Sequence, residues 1–168
     1  DARRRPATTR DAGAPPPSAC GMTLFTGHDR EALRATWREA WRRYRDGLPL
    51  APLQVQLADI VAMHPEYQAI LEDEAAPGGR DRGPGQGEGN PFLHMGLHAA
   101  VREAVATDRP PGIRPAFEAL LQRAVTPHDA EHVLAECLGE TLWEAQRAAQ
   151  PPDAEAWLER VRRRSTAR

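Results

Sequence analysis

Between residues 29 and 164 the chain alternates stretches of helical hydrophobic periodicity with short breaks rich in proline and glycine. Leu33, Trp37, Ala40, Trp41 and Tyr44 recur at spacings that lay one apolar stripe along a helix over 29–46. Thr26 and Asp29 suit its N-terminal cap, and Gly47 its stop. A second stripe, Leu53, Leu57, Ile60 and Val61, belongs to a helix starting at Pro52, and His64 continues it. Pro65 interrupts that helix and opens a short new turn, with Tyr67, Ile70 and Leu71 packing inward. Asn90 as cap and Pro91 in the first turn begin a helix that runs to about Thr107. Pro110, Pro111 and Gly112 break the chain before a helix over 113–124. Pro127 starts a long helix to about Ala149, which Pro151 and Pro152 end. Asp153 then caps a last short helix bearing Trp157, Leu158 and Val161, and its closing arginines, 162 to 164, suit the partial negative charge of a helix C-terminus. No strand-type alternation and no internal repeat is visible. The pattern predicts an all-α fold, a compact bundle of about five main helices plus a short C-terminal helix.

The flanks read differently. Residues 1–21 lack any large apolar side chain and are expected to form a disordered extension, with Met22 a candidate first residue of the native protein. A single helical domain is expected over 22–164, with a flexible Gly/Pro loop at 75–90 and a short tail at 165–168. The glycines of that loop follow no strand and have the wrong spacing for a phosphate cradle.

Composition narrows the function classes. The net charge of −2 gives no electrostatic case for nucleic acid or a membrane surface. No apolar run approaches the ~20 residues of a membrane helix. The N-terminal arginines have no apolar stretch behind them, so the expectation is a cytoplasmic protein. Every basic residue is arginine, which removes Schiff-base chemistry and the lysine of a phosphate-binding loop. Cys20 and Cys137 make neither a metal-ligand spacing nor a disulfide framework. Arg34, Arg38, Arg42 and Arg45 share the polar side of the first helix, either as a solvated face or as a surface for an acidic protein partner.

The histidines carry the candidate chemistry. On the helix from Pro91, Leu93, Leu97, Ala100, Val101, Ala104 and Val105 define an apolar arc, and His94 and His98 fall inside it; Arg102 lies near its edge. On the helix from Pro127 the arc is Leu134, Ala135, Leu138, Leu142 and Trp143. His128 and His132 lie within it, Glu131 near its middle and Glu136 on its border, while Cys137 points to the other side. Chance placement of the histidines would give about 0.2 pairs at the i,i+4 spacing that aligns side chains on a helix. Both pairs stand near the starts of helices that a short intervening helix brings side by side, so they are expected at one level of the bundle. His64 belongs at that level, and His28 precedes the first helix at the same end.

Four imidazoles with one or two carboxylates suit zinc, iron, nickel or copper, with zinc or iron as the expected cofactor. Calcium and magnesium want more oxygen ligands. The candidate metal residues are His64, His94, His98, His128, Glu131, His132 and Glu136, the carboxylates serving as ligands or as bases that support them. The alternative is a non-enzymatic interaction protein whose histidines and Glu131 form a metal-free buried polar network. His128, Glu131 and His132 also match the inverted zinc-protease pattern, but those enzymes are far larger domains. Ferritin-like di-iron proteins need Glu-x-x-His pairs, which the chain lacks. The ligand types are nearer those of hemerythrin-type bundles, an analogy of ligand type only.

Four strings, HPEY at 64–67, NPFLHMGLH at 90–98, DRPPGI at 108–113 and AEHVLAECLGETLWEAQR at 130–147, resemble an uncharacterised bacterial family, the domain of unknown function 1841. The resemblance runs from about Leu24 to Val161. Members often carry a further histidine after the first string, where this chain has Gln68. The resemblance implies a compact bacterial intracellular protein and assigns it no particular activity.

Overall fold

The computed structural model describes residues 30–73 and 90–166. The expectations for residues 1–21, Met22, the Thr26 and Asp29 cap, His28 and the Gly/Pro loop lie outside them. Seven helices and no strand are found among the described residues: α1 (Arg30–Arg45), α2 (Pro52–Ala62), α3 (Pro65–Glu72), α4 (Pro91–Thr107), α5 (Ile113–Leu121), α6 (Pro127–Ala148) and α7 (Ala154–Thr166).

Four of the seven begin on proline, whose missing N–H costs nothing in a first turn. Asn90 caps α4 by accepting hydrogen bonds from the N–H groups of Phe92 and Leu93. Thr126 and Asp129 form a reciprocal capping box at α6. Gly47, at φ 64°, follows the end of α1 in the left-handed region that glycine adopts freely. The turn expected after Pro65 is the eight-residue α3, because Pro65 pre-sets the helical φ and Leu71 gives the helix a buried anchor.

Two hydrophobic clusters share the interior. One joins α1, α2, α3 and the start of α4 through Trp37, Trp41, Ile60, Val61, Phe92 and Met95. The other joins the rest of α4 to α5, α6 and α7 through Val101, Ile113, Leu134, Leu138, Trp157 and Val161. α4 takes part in both, and His94 and His98 fall between its two contributions. The C-terminal helix is a full member of the second cluster: the Trp157 indole donates to the Leu134 carbonyl at 3.1 Å. Its arginines 160 and 164 pair with Glu136, Glu140 and Glu144 along α6.

Several sequence expectations need correction. Tyr44, Leu53, Leu93 and Trp143, placed on buried stripes, are 46–58% exposed, each lying at an edge of its helix stripe. Cys137 does point away from the histidines, but into the second cluster, where burial pushes its thiol pKa up. The arginine side of α1 is not uniformly solvated. Arg34 and Arg38 are 16% exposed and lie over the Phe92 ring, while Arg42 pairs with Glu39 and Asp46 and Arg45 with Glu72.

Candidate metal centre

His64 is the cap residue between α2 and α3, held there because Pro65 starts a new helix. His94 and His98 lie one turn apart on α4, and His128 and His132 one turn apart on the first turns of α6. The fold brings all five rings together. Those of His64, His94, His98 and His132 have centroid separations of 4.8–5.8 Å across all six of their pairings. Their donor nitrogens lie within 4.8 Å of one another. His128 stands beside them, with its ring 4.2 Å from that of His132, 4.7 Å from that of His64 and 4.9 Å from that of His98. Tyr67 stacks on His64 at 5.6 Å.

Hydrogen bonds fix which nitrogen faces inward. His64 Nδ1–H donates to the Ile60 carbonyl at 2.7 Å, leaving Nε2 with its lone pair 3.1 Å from His94 Nε2. His98 Nδ1–H donates to Glu131 at 3.0 Å, again leaving Nε2 as the inward donor. Glu131 is held in turn by Arg102, which reaches both of its oxygens at 3.0 and 3.1 Å and Asp59 of α2 at 2.6 Å. Three inward nitrogens, His98 Nε2, His128 Nδ1 and His132 Nε2, are buried with no hydrogen-bond partner. A buried imidazole nitrogen left unpaired is destabilising by roughly 1–3 kcal/mol, so three in one place favour a shared partner there, a water or a metal ion.

The expected carboxylates separate. Glu131 joins the cluster and forms a second grouping with His98 and His128. Glu136 does not: it is 62% exposed and pairs with Arg164, because α7 folds back along that side of α6. Sequence reading missed Arg102 and Asp59. Arg102 was visible only as a charge at the edge of an apolar arc, and Asp59 gave no signal.

Burial lowers the pKa values of His64, His94, His128 and His132 below the ordinary histidine range, and the neighbouring rings add to the effect; His94 is lowered to about 4. For Glu131, burial works upward, but the hydrogen bonds from His98 and Arg102 outweigh it and hold the carboxyl below its usual range. These shifts favour neutral His64, His94, His128 and His132 and an ionised Glu131. They also set a pH dependence. Unfolded histidines take up protons near pH 6.5, while His64, His94, His128 and His132 do so only at lower pH, about 4 for His94, so the unfolded state binds more protons as pH falls below 6.5. The metal-free protein should therefore be most stable above pH 6.5 and lose stability as pH falls toward 4, as denaturant titrations across that range will show.

A family model described as a domain of unknown function (DUF1841) matches residues 29–163. The chain belongs to the DUF1841 family. The match spans every helix that contributes a histidine or a carboxylate to the cluster, so the centre lies within the DUF1841 domain itself. No curated protein and no solved structure matches the chain. No helix among the described residues is long and apolar enough to cross a membrane.

Proposed function

We propose that this DUF1841 domain binds one transition-metal ion, zinc or iron, through His64, His94, His98 and His132. The observation that carries the reading is the spacing of the four rings. An ion with about 2.0–2.1 Å bonds to four imidazole nitrogens in a tetrahedron holds the ring centres about 5 Å apart. The observed separations are 4.8–5.8 Å. Glu131 is not a ligand in this arrangement. It orients His98, as carboxylates beside metal-ligating histidines do, and Arg102 holds it in place. An all-nitrogen set suits zinc or ferrous iron and disfavours calcium and magnesium. If the ion performs a reaction, activation of bound water or of dioxygen is the chemistry open to such a site. A cytoplasmic setting suits the reading, because Cys137 is a free buried thiol.

A metal-free polar network accounts for less. It explains the His64–His94 and His98–Glu131 contacts but leaves three buried nitrogens without partners. An interaction module working through the arginines of α1 finds little support, since Arg42 and Arg45 are paired within the chain and Arg34 lies on Phe92. Elemental analysis of protein purified without a histidine tag decides the matter. About one equivalent of a transition metal is expected, and less than about a tenth, before and after reloading, defeats the proposal.

A further inference from the structure

Resting on that metal reading, we propose that His128 is a displaceable fifth ligand, and that its position is where a small nitrogen- or oxygen-donor molecule reaches the ion. The rings of His64, His98 and His132 form one triangular face of the tetrahedron whose apex is His94. His128 lies 4.2–4.9 Å from all three. A ring at those distances on the same side as His94 would overlap it, so His128 caps the opposite side. That is the direction from which a tetrahedral ion accepts a fifth ligand. The buried nitrogen of His128, Nδ1, has no hydrogen-bond partner to hold it elsewhere.

No hydrogen bond to the rest of the fold ties His128 to its place; its ring is held by stacking on His98. His64 is anchored by the Ile60 carbonyl and His98 by Glu131. The inward nitrogen of His128 has no such anchor, its donor lies outside the set of four mutually close nitrogens, and it is half-buried in the first turn of α6, directly after Pro127. Rotation about its side-chain bonds takes the ring off the ion without disturbing the other four. The exchange is a substitution: one metal–nitrogen bond breaks, one bond to the incoming donor forms, the imidazole leaves neutral, and no electron is transferred. The alternative fifth donor, Glu131, is held by His98 and Arg102 and is less free to move in.

Cobalt(II) tests this, because its visible absorption is strong when four-coordinate and weak when five-coordinate. The wild-type protein, untagged and loaded with cobalt, should show the weak five-coordinate spectrum. His128→Ala and His128→Gln should both keep the ion, with affinity within about tenfold of wild type. The alanine variant should show several-fold stronger absorption, and added imidazole should return it to the wild-type form. Azide should alter the wild-type spectrum by displacing the ring. Loss of cobalt from both variants, with folding retained by circular dichroism, would show a structural ligand and overturn the proposal. So would wild-type and variant spectra that coincide and ignore imidazole and azide. If the wild type takes up no cobalt, zinc or iron, the metal reading falls and this inference with it, whereas uptake without a fifth ligand sinks the inference alone.

Discussion

Saturating zinc or ferrous iron should raise the melting temperature of the wild-type domain by about 8–16 °C. A ligand that binds only the native state stabilises it by about 4 kcal/mol when its concentration is a thousand times the dissociation constant. For a chain of this size each kcal/mol shifts the midpoint by roughly 2–4 °C. The discrimination between states is strong because the proposed ligands come from three separate helical segments, at His64, at His94 with His98, and at His132. The unfolded chain cannot hold them at ring separations of 4.8–5.8 Å. His98→Ala should abolish most of the shift, since its ring is fully buried and is oriented by Glu131. His94→Ala and His132→Ala should each lower metal content, and their combined cost in the presence of metal should be less than the sum, because either one breaks the same site. Acid should release the ion as the imidazoles protonate. Identical melting of chelated and metal-loaded wild type, at metal concentrations far above a micromolar-range affinity, would end the metal reading.

Arg102→Ala should lower stability by about 2–3 kcal/mol at neutral pH, in a way that depends on the ionisation of Glu131. Removing one partner of a buried ion pair typically costs about 3–5 kcal/mol, and partial exposure reduces it here. Arg102 is 22% exposed and Glu131 12%. The substitution also severs the link from Asp59 on α2 to Glu131 on α6. The pH profile carries the diagnosis. In the wild type the lowered carboxyl contributes stability that is present above the ordinary Glu range and is lost as pH falls through the lower folded value. Without the guanidinium, the hydrogen bond and charge of Arg102 no longer oppose burial, and the folded pKa rises. The variant's deficit should then be largest at neutral pH and shrink as acid neutralises Glu131. Glu131→Gln in the same chain should recover part of the loss, because an amide needs no counter-charge. A deficit independent of pH, and untouched by the second change, would assign Arg102 a packing role instead. Metal affinity offers a second readout, with a loss of roughly 10–100-fold expected once Glu131 no longer holds His98.

How far the sequence reveals this centre depends on the distance over which each signal acts. The i,i+4 spacing of His94 with His98, and of His128 with His132, is a local signal, because one turn of helix aligns the side chains whatever surrounds them. Proline and asparagine placed the helix starts for the same reason, and the helical class followed from periodicity. What failed was long-range. Glu136 has a spacing from His132 as good as that of His128, yet α7 supplies Arg164 and draws the carboxylate outward. Phe92 covers the side chains of Arg34 and Arg38, which no pattern within α1 could show. Periodicity located the apolar arcs but not their limits, so Leu93 and Trp143 at the margins are solvent-facing. Arg102 is the instructive case: a charge at the border of an apolar face reads as noise until two carboxylates from other helices are seen to converge on it.

The division of the interior into two clusters has a consequence for cooperativity. Among the described residues, α1, α2 and α3 pack mainly on one another and meet the remainder chiefly where α2 lies on α4. Such an arrangement allows two units of different local stability, the first able to open while α5, α6 and α7 keep their packing. The proposed ligands straddle that seam, with His64 from the first unit, His132 from the second and His94 and His98 on the helix they share. A bound ion would couple the two, so that opening either releases the metal and a single unfolding event replaces two. Amide exchange in α1, which supplies no ligand, would then slow with metal as much as exchange beside His132.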